Sequence, residues 1–188
     1  MGRVLPLRFY RAAADEVAPA LLGAILQVRH AETWLAGRIV EVEAYLRLDA
    51  ACHASRGMTK RNASMFGLPG TAYVYQIHRS YCLNMVCAPK GIGEAVLIRA
   101  IEPLQGLDTM QNRRQGAKGR NLTGGPGRLC QALGIDLDFD AEDLRGPRIR
   151  VMSGAAPSHI QATPRIGISQ NTEALLRFID TDSRYLSR

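Results

Sequence analysis

Two carboxylates and a phenol fall at alternate positions in one short stretch of this chain: Glu41, Glu43 and Tyr45. The surrounding run, Gly37-Arg38-Ile39-Val40-Glu41-Val42-Glu43-Ala44-Tyr45-Leu46, is β-branched and alternating, so it reads as a strand. Alternation predicts a core face of Val40, Val42, Ala44 and Leu46, and an opposite face of Ile39, Glu41, Glu43 and Tyr45. A strand glutamate is usually a solvated residue, but carboxylates paired with a ring are unusual on a face meant only for water. Other residues sharpen the question. Arg99 interrupts the apolar run 95–101, and a guanidinium there needs an anion, with Glu43 or Glu41 as candidates. Asn84 lies inside an apolar strand and must find hydrogen-bond partners if buried. His53 follows the Glu43/Tyr45 face directly in sequence. Tyr73 and Tyr75 share a strand face, where core filling alone would account for them.

The elements that would position these groups are mostly strands. Residues 24–30 read as a strand that turns through Ala31-Glu32-Thr33 into the Glu41/Glu43 strand, giving it an antiparallel partner. Residues 71–77 and 81–87 form a hairpin joined by His78-Arg79-Ser80, a polar and cationic tip. The run 95–101 is a buried strand, and Pro103 is placed at a helix start. Residues 8–22 carry a broken helical pattern with Pro19 inside and Gly23 as C-cap. Residues 47–66 form a long loop holding His53 and four cations, and loops of that length are usually functional or mobile. A glycine-rich turn, Thr123-Gly124-Gly125-Pro126-Gly127, feeds a short helix whose amides could face phosphate or no ligand at all. Residues 147–152 and 165–169 are the remaining strand candidates. No repeat and no domain boundary interrupts residues 1–188.

Composition narrows the class. A chain of 188 residues suffices for one domain with a sizeable core. No apolar run approaches the roughly 18–20 residues of a membrane span. The first residues lack a signal-peptide pattern. A cytoplasmic protein at the bacterial nucleoid, with no membrane partner, is expected. Cys52, Cys82, Cys87 and Cys130 form no Cys-x-x-Cys pair and read as reduced thiols, with no metal site. The net charge is +7, and all but three of the 24 basic residues are arginine, the better match for phosphate. Nucleic acid is the natural partner, although a solubility charge or an arginine-biased genome would give the same composition.

Seven motifs occur in a specific order: Gly37-x-Ile39-Val40-Glu41-x-Glu43-Ala44-Tyr45, Cys52-His53-Ala54, Thr59-Lys60-Arg61-Asn62-x-x-Met65-Phe66, Pro69-Gly70-Thr71-x-Tyr73-Val74-Tyr75, Cys82-Leu83-Asn84, Val96-Leu97-Ile98-Arg99-Ala100-Ile101-Glu102-Pro103 and Gly125-Pro126-Gly127-x-Leu129-Cys130-Gln131-Ala132-Leu133. Together they resemble the alkyladenine (3-methyladenine) DNA glycosylase family, over nearly the whole chain.

The resemblance implies an α+β fold, a single domain around a curved antiparallel β-sheet, an open barrel-like roll with short flanking helices. It implies a repair enzyme that flips a damaged purine (3-methyladenine, 7-methylguanine, hypoxanthine or ethenoadenine) from duplex DNA and hydrolyses its N-glycosidic bond. By the same resemblance Glu43 is the general base for the attacking water. Arg99 and the carbonyl of Ile166 hold that water. Tyr45, His53 and Tyr75 sandwich the base, and Asn84 clashes with the 2-amino group of guanine. Cationic alkylated purines would gain about 0.5–2 kcal/mol from each aromatic face. No lysine or terminal amine matches the site, so the enzyme is expected to be monofunctional, without lyase activity, cofactor or metal, and a monomer. One departure stands out. Where the family carries a tyrosine wedge for the gap left by the flipped base, this chain has His78, with Arg79 as the alternative, in a hairpin one residue shorter. The competing readings are a non-catalytic damaged-DNA-binding module on the same scaffold, and a glycosidase for free nucleosides or RNA.

Overall fold

Strand β2 (Thr33–Tyr45) is the axis of the molecule. In the computed structural model, which describes residues 2–187, it is paired along both edges. On one edge lies β5 (Glu94–Gln105), antiparallel along most of its length. The other edge is shared: β1 (Ile25–His30) covers the first half, and β8 (Arg177–Asp180) covers Glu41–Glu43. The sheet continues through β4 (Ser80–Cys87) to β3 (Ala72–Ile77) on the β5 side. It continues to β6 (Ile149–Met152) on the β1 side, and β7 (Ile160–Thr163) pairs with β8. Every pairing is antiparallel, and the sheet curls into a half-barrel with short helices against it, an α+β fold.

Among the described residues four α-helices accompany the sheet: α1 (Ala14–Leu21), α2 (Leu107–Arg113), α3 (Arg120–Thr123) and α4 (Pro126–Leu133). Helix α4 starts with Pro126 at its first turn and ends at Gly134, whose φ of 73° suits a residue without Cβ. It buries Leu129, Cys130, Ala132 and Leu133. Helix α1 buries Val17, Ala18 and Leu21 in the same core, and Pro19 sits inside it without ending it.

Local pairing revises several sequence-based expectations. The core face of β2 carries Ile39, Val42 and Ala44, not Val40. The register runs Ile39↔Ile101, Glu41↔Ala100, Val42↔Ile98, so Val40 on one strand and Arg99 on the other fall outside the pairing. These two bulges reverse the alternation and let Ile98 and Ile101 both enter the core while Arg99 turns the other way. Strand β5 also runs through Pro103 to Gln105, and the helix waits for Gly106 (φ 81°). Proline is tolerated because the register shifts again between Ala36 and Gly37, beside Pro103. The turn between β3 and β4 has two residues, His78 and Arg79, since Ile77 pairs with Ser80. Residues 165–169 form a loop, with Gly167 at φ 77°, and the strands of that region are β7 and β8.

Candidate active site

The bulged face of β2 opens on a cavity of about 500 Å³. Tyr45 and Arg99 line it from β2 and β5, Tyr75 and Asn84 from β3 and β4, His53 from the long loop and Ile166 from the loop after β7. Six residues singled out in the sequence thus face one space. Glu43 stands directly behind three of them and is fully buried. Its Oε2 accepts a hydrogen bond from the Tyr45 hydroxyl at 2.9 Å. Its Oε1 accepts one from the Ile166 amide at 2.8 Å and lies 3.2 Å from Arg99 Nη1. For Ile166, then, the contact to Glu43 is made by the amide N–H.

Arg99 is held by both candidate carboxylates, since its Nε also donates to Glu41 Oε1 at 2.9 Å. Glu41 is fully buried too, and Arg177 Nε donates to its Oε1 at 2.7 Å. Two carboxylates and two guanidiniums therefore share a largely buried cluster in which charges balance. Burial alone would raise the Glu41 pKa, but hydrogen bonds from Ser187 and Arg177 and the Arg177 charge outweigh it, leaving the carboxyl below its ordinary range. Burial, reinforced by neighbouring Glu43, pushes the Tyr45 phenol far above its ordinary value, so it stays a protonated donor.

The aromatic walls touch one another. The His53 and Tyr75 rings meet edge-on with centroids 4.7 Å apart, and His53 Nδ1 lies 2.9 Å from the Tyr73 hydroxyl. Burial, then the Arg61 charge, lowers the His53 pKa and favours the neutral ring. Asn84 is buried, and its Nδ2 donates to the Tyr73 carbonyl at 3.0 Å, which fixes the amide's orientation. His78 and Arg79 do not line the cavity; they sit at the exposed hairpin end, with His78 in the left-handed region at φ 51°. Ile77 does line it, and is 45 % exposed.

Several supporting residues escaped the sequence reading. Asn62 staples the long loop: its Nδ2 donates to the carbonyls of His53 (2.8 Å) and Gly57 (3.1 Å), and its Oδ1 accepts from the Thr59 amide (2.6 Å) and hydroxyl (3.0 Å). Thr59 and Asn62 stand in one of the quoted motifs, so the signal was present without its reason. Arg165 stacks over the Tyr45 ring at 4.7 Å, donates to the Ala44 carbonyl at 3.0 Å and pairs with Asp49. Asn171 and the Ala51 amide also donate to Asp49, tying the two loops that flank the cavity.

Comparison with known proteins identifies the family. The family model described as methylpurine-DNA glycosylase matches residues 8–184. A relative from Methanoculleus marisnigri is 48 % identical, with 98 % of each chain covered. Another, from Rhodopirellula baltica, is 46 % identical over 97 % of this chain and 82 % of its own. A third, from Carboxydothermus hydrogenoformans, is 42 % identical over 98 % of this chain and 99 % of its own. All three carry the provisional name of 3-methyladenine DNA glycosylase. With a family match across nearly its full length and such relatives, the chain belongs to the methylpurine-DNA glycosylase family and is a DNA glycosylase, a hydrolase of DNA repair.

Proposed function

We propose that the cavity receives a damaged purine flipped out of duplex DNA, and that Glu43 activates the water that cleaves its N-glycosidic bond. The observation that carries this reading is the buried Glu43–Arg99 pair placed against the wall formed by Tyr45, Tyr75, His53 and Asn84. Water attacks the sugar carbon, a C–O bond forms, and its proton passes to the Glu43 carboxylate. The C–N bond breaks, and the base leaves with the bonding pair. An alkylated purine such as 3-methyladenine or 7-methylguanine thereby loses its positive charge, and a carboxylate nearby stabilises the cationic sugar formed on the way. Hypoxanthine and ethenoadenine belong to the same proposed substrate set.

Tyr45, His53 and Tyr75 would sandwich the base; the edge-on contact of His53 and Tyr75 at 4.7 Å leaves no space for it between those two, so they would form one wall and Tyr45 the other. Neutral His53 suits this task, because a cationic imidazole would repel a cationic base. Lys60, Lys90 and Lys118 do not line the cavity, which supports simple hydrolysis to an abasic site rather than strand cleavage. The protein would act on duplex DNA as a monomer in the cytoplasm.

The test is single-turnover base release from short duplexes holding hypoxanthine, 7-methylguanine or no damage. Wild type should excise damaged bases and leave strands intact until alkali is added. Glu43→Gln should lose at least ~100-fold in rate, the scale of general base catalysis, while still binding the damaged duplex. Equal excision by the two proteins would remove Glu43 from the mechanism.

A further inference from the structure

Residues 185–187 return to the back of the active-site cluster. Ser187 makes four polar contacts there. Its amide donates to Glu41 Oε2 at 2.5 Å, and its hydroxyl donates to Glu41 Oε1 at 2.6 Å. The same hydroxyl oxygen accepts from Arg99 Nε at 3.2 Å and Nη2 at 3.1 Å. Arg99 Nη1, the remaining guanidinium nitrogen, is the one that lies beside Glu43. The planar fork is thus fixed from behind by Glu41 and Ser187, with one nitrogen left toward the carboxylate that faces the chemistry.

The approach of this segment is itself built in. A Cβ on Gly124 would lie 2.5 Å from the Arg120 carbonyl oxygen, 2.8 Å from that of Tyr185 and 3.3 Å from that of Leu186. Gly124 also bridges to Ala100, the neighbour of Arg99 on β5. A side chain at Gly124 would therefore collide with helix α3 on one side and with residues 185–186, next to Ser187, on the other.

We propose that Ser187 is a positioning residue: it sets the angle of the Arg99 guanidinium and, through it, the Glu43 carboxylate and the water between them. This rests on the role given to Glu43 and Arg99 under the proposed function. Glu41 has four donors, two of them from Ser187 and one from Arg99, so its part in the device is to anchor these two residues.

The test compares Ser187→Ala, Ser187→Thr, Gly124→Ala and Glu43→Gln with wild type by single-turnover excision of hypoxanthine, affinity for the same duplex, and thermal melting. Ser187→Ala should slow excision about tenfold, as expected when a charge-assisted hydrogen bond orienting a reacting group is removed. Affinity should be unchanged, and Ser187→Thr, which keeps the hydroxyl, should restore most of the rate. Gly124→Ala, whose added Cβ also meets the Arg120 carbonyl of helix α3, should slow excision at least as much as Ser187→Ala. A wild-type rate in Ser187→Ala overturns the proposal. So does a parallel fall of rate, affinity and melting temperature, which marks a merely structural serine. Loss of activity in Glu43→Gln together with a wild-type rate in Ser187→Ala defeats this proposal alone. Full activity in Glu43→Gln defeats the functional reading and this proposal with it.

Discussion

Asn84 is a buried side chain held in one orientation. Its amide nitrogen is committed to the Tyr73 carbonyl, so the group cannot rotate away from a base that crowds it. Under the proposed function it excludes guanine by its bulk and by a donor or acceptor left unmatched. Asn84→Ser should therefore raise guanine release from undamaged duplex on the order of tenfold relative to 7-methylguanine release. A ratio equal to wild type would relieve Asn84 of that role. At this scale the sequence was informative wherever strand alternation holds. Tyr45, Tyr75 and Asn84 all face the cavity, whereas Arg99 reaches it at a bulge, where alternation fails. Arg99's choice between Glu41 and Glu43 was not legible, because it depends on two opposed bulges, and the answer is both.

The hairpin of β3 and β4 ends in His78 and Arg79, where the resemblance leads one to expect a tyrosine. Its two-residue turn holds His78 at φ 51°, a conformation that histidine tolerates better than bulkier residues. The tip is polar and exposed, while the apolar surface near the cavity mouth comes from Ile77. If the tip fills the gap left by a flipped base, a larger ring should hold that state longer. In a Glu43→Gln background, His78→Tyr should bind a hypoxanthine duplex several-fold more tightly, given roughly 25 cal/mol for each additional Å² of apolar surface buried. An unchanged dissociation rate would show that the tip does not enter the gap. The turn length itself could not be read from the chain, because His78-Arg79-Ser80 carries neither glycine nor asparagine to mark a two-residue loop. The loop at 165–169 was misread for a related reason. Arg165-Ile166-Gly167-Ile168 alternates like a strand, yet its amide at Ile166 is spent on Glu43 rather than on a neighbouring strand.

For the molecule as a whole, buried charge links stability to pH. Glu41 and Asp49 both titrate below their ordinary values of 4.5 and 3.8. In each case burial opposes the shift, and hydrogen bonds and nearby arginines overcome it. A depressed carboxyl contributes stability that is fully present above its unfolded pKa and lost as pH falls through its folded one. The melting temperature should thus hold steady from neutral pH to about 5 and fall steeply below 4.5. Glu41→Gln should cost about 3–5 kcal/mol at neutral pH, because it leaves Arg99 and Arg177 short of a counter-charge, and should flatten the acid fall. A variant as stable as wild type at neutral pH, with the same acid slope, would rule out Glu41 as a source. None of this cluster beyond Arg99 and its two carboxylates was visible in the chain. Arg177 and Ser187 reach Glu41 from about 140 residues away, across pairings with no local pattern.

The shared edge of β2 has a consequence in time. Its first half is closed by β1, a neighbour in sequence, whereas Glu41–Glu43 are closed by β8, Ile166 and Ser187. Chains emerge from the ribosome beginning at the amino end. A nascent chain can therefore complete β1 to β5 and the helices packed on them while Glu41 still lacks three of its four donors and Glu43 still lacks the Ile166 amide. The buried cluster is therefore completed only once residues 166–187 have emerged, after the scaffold that confines it is already in place.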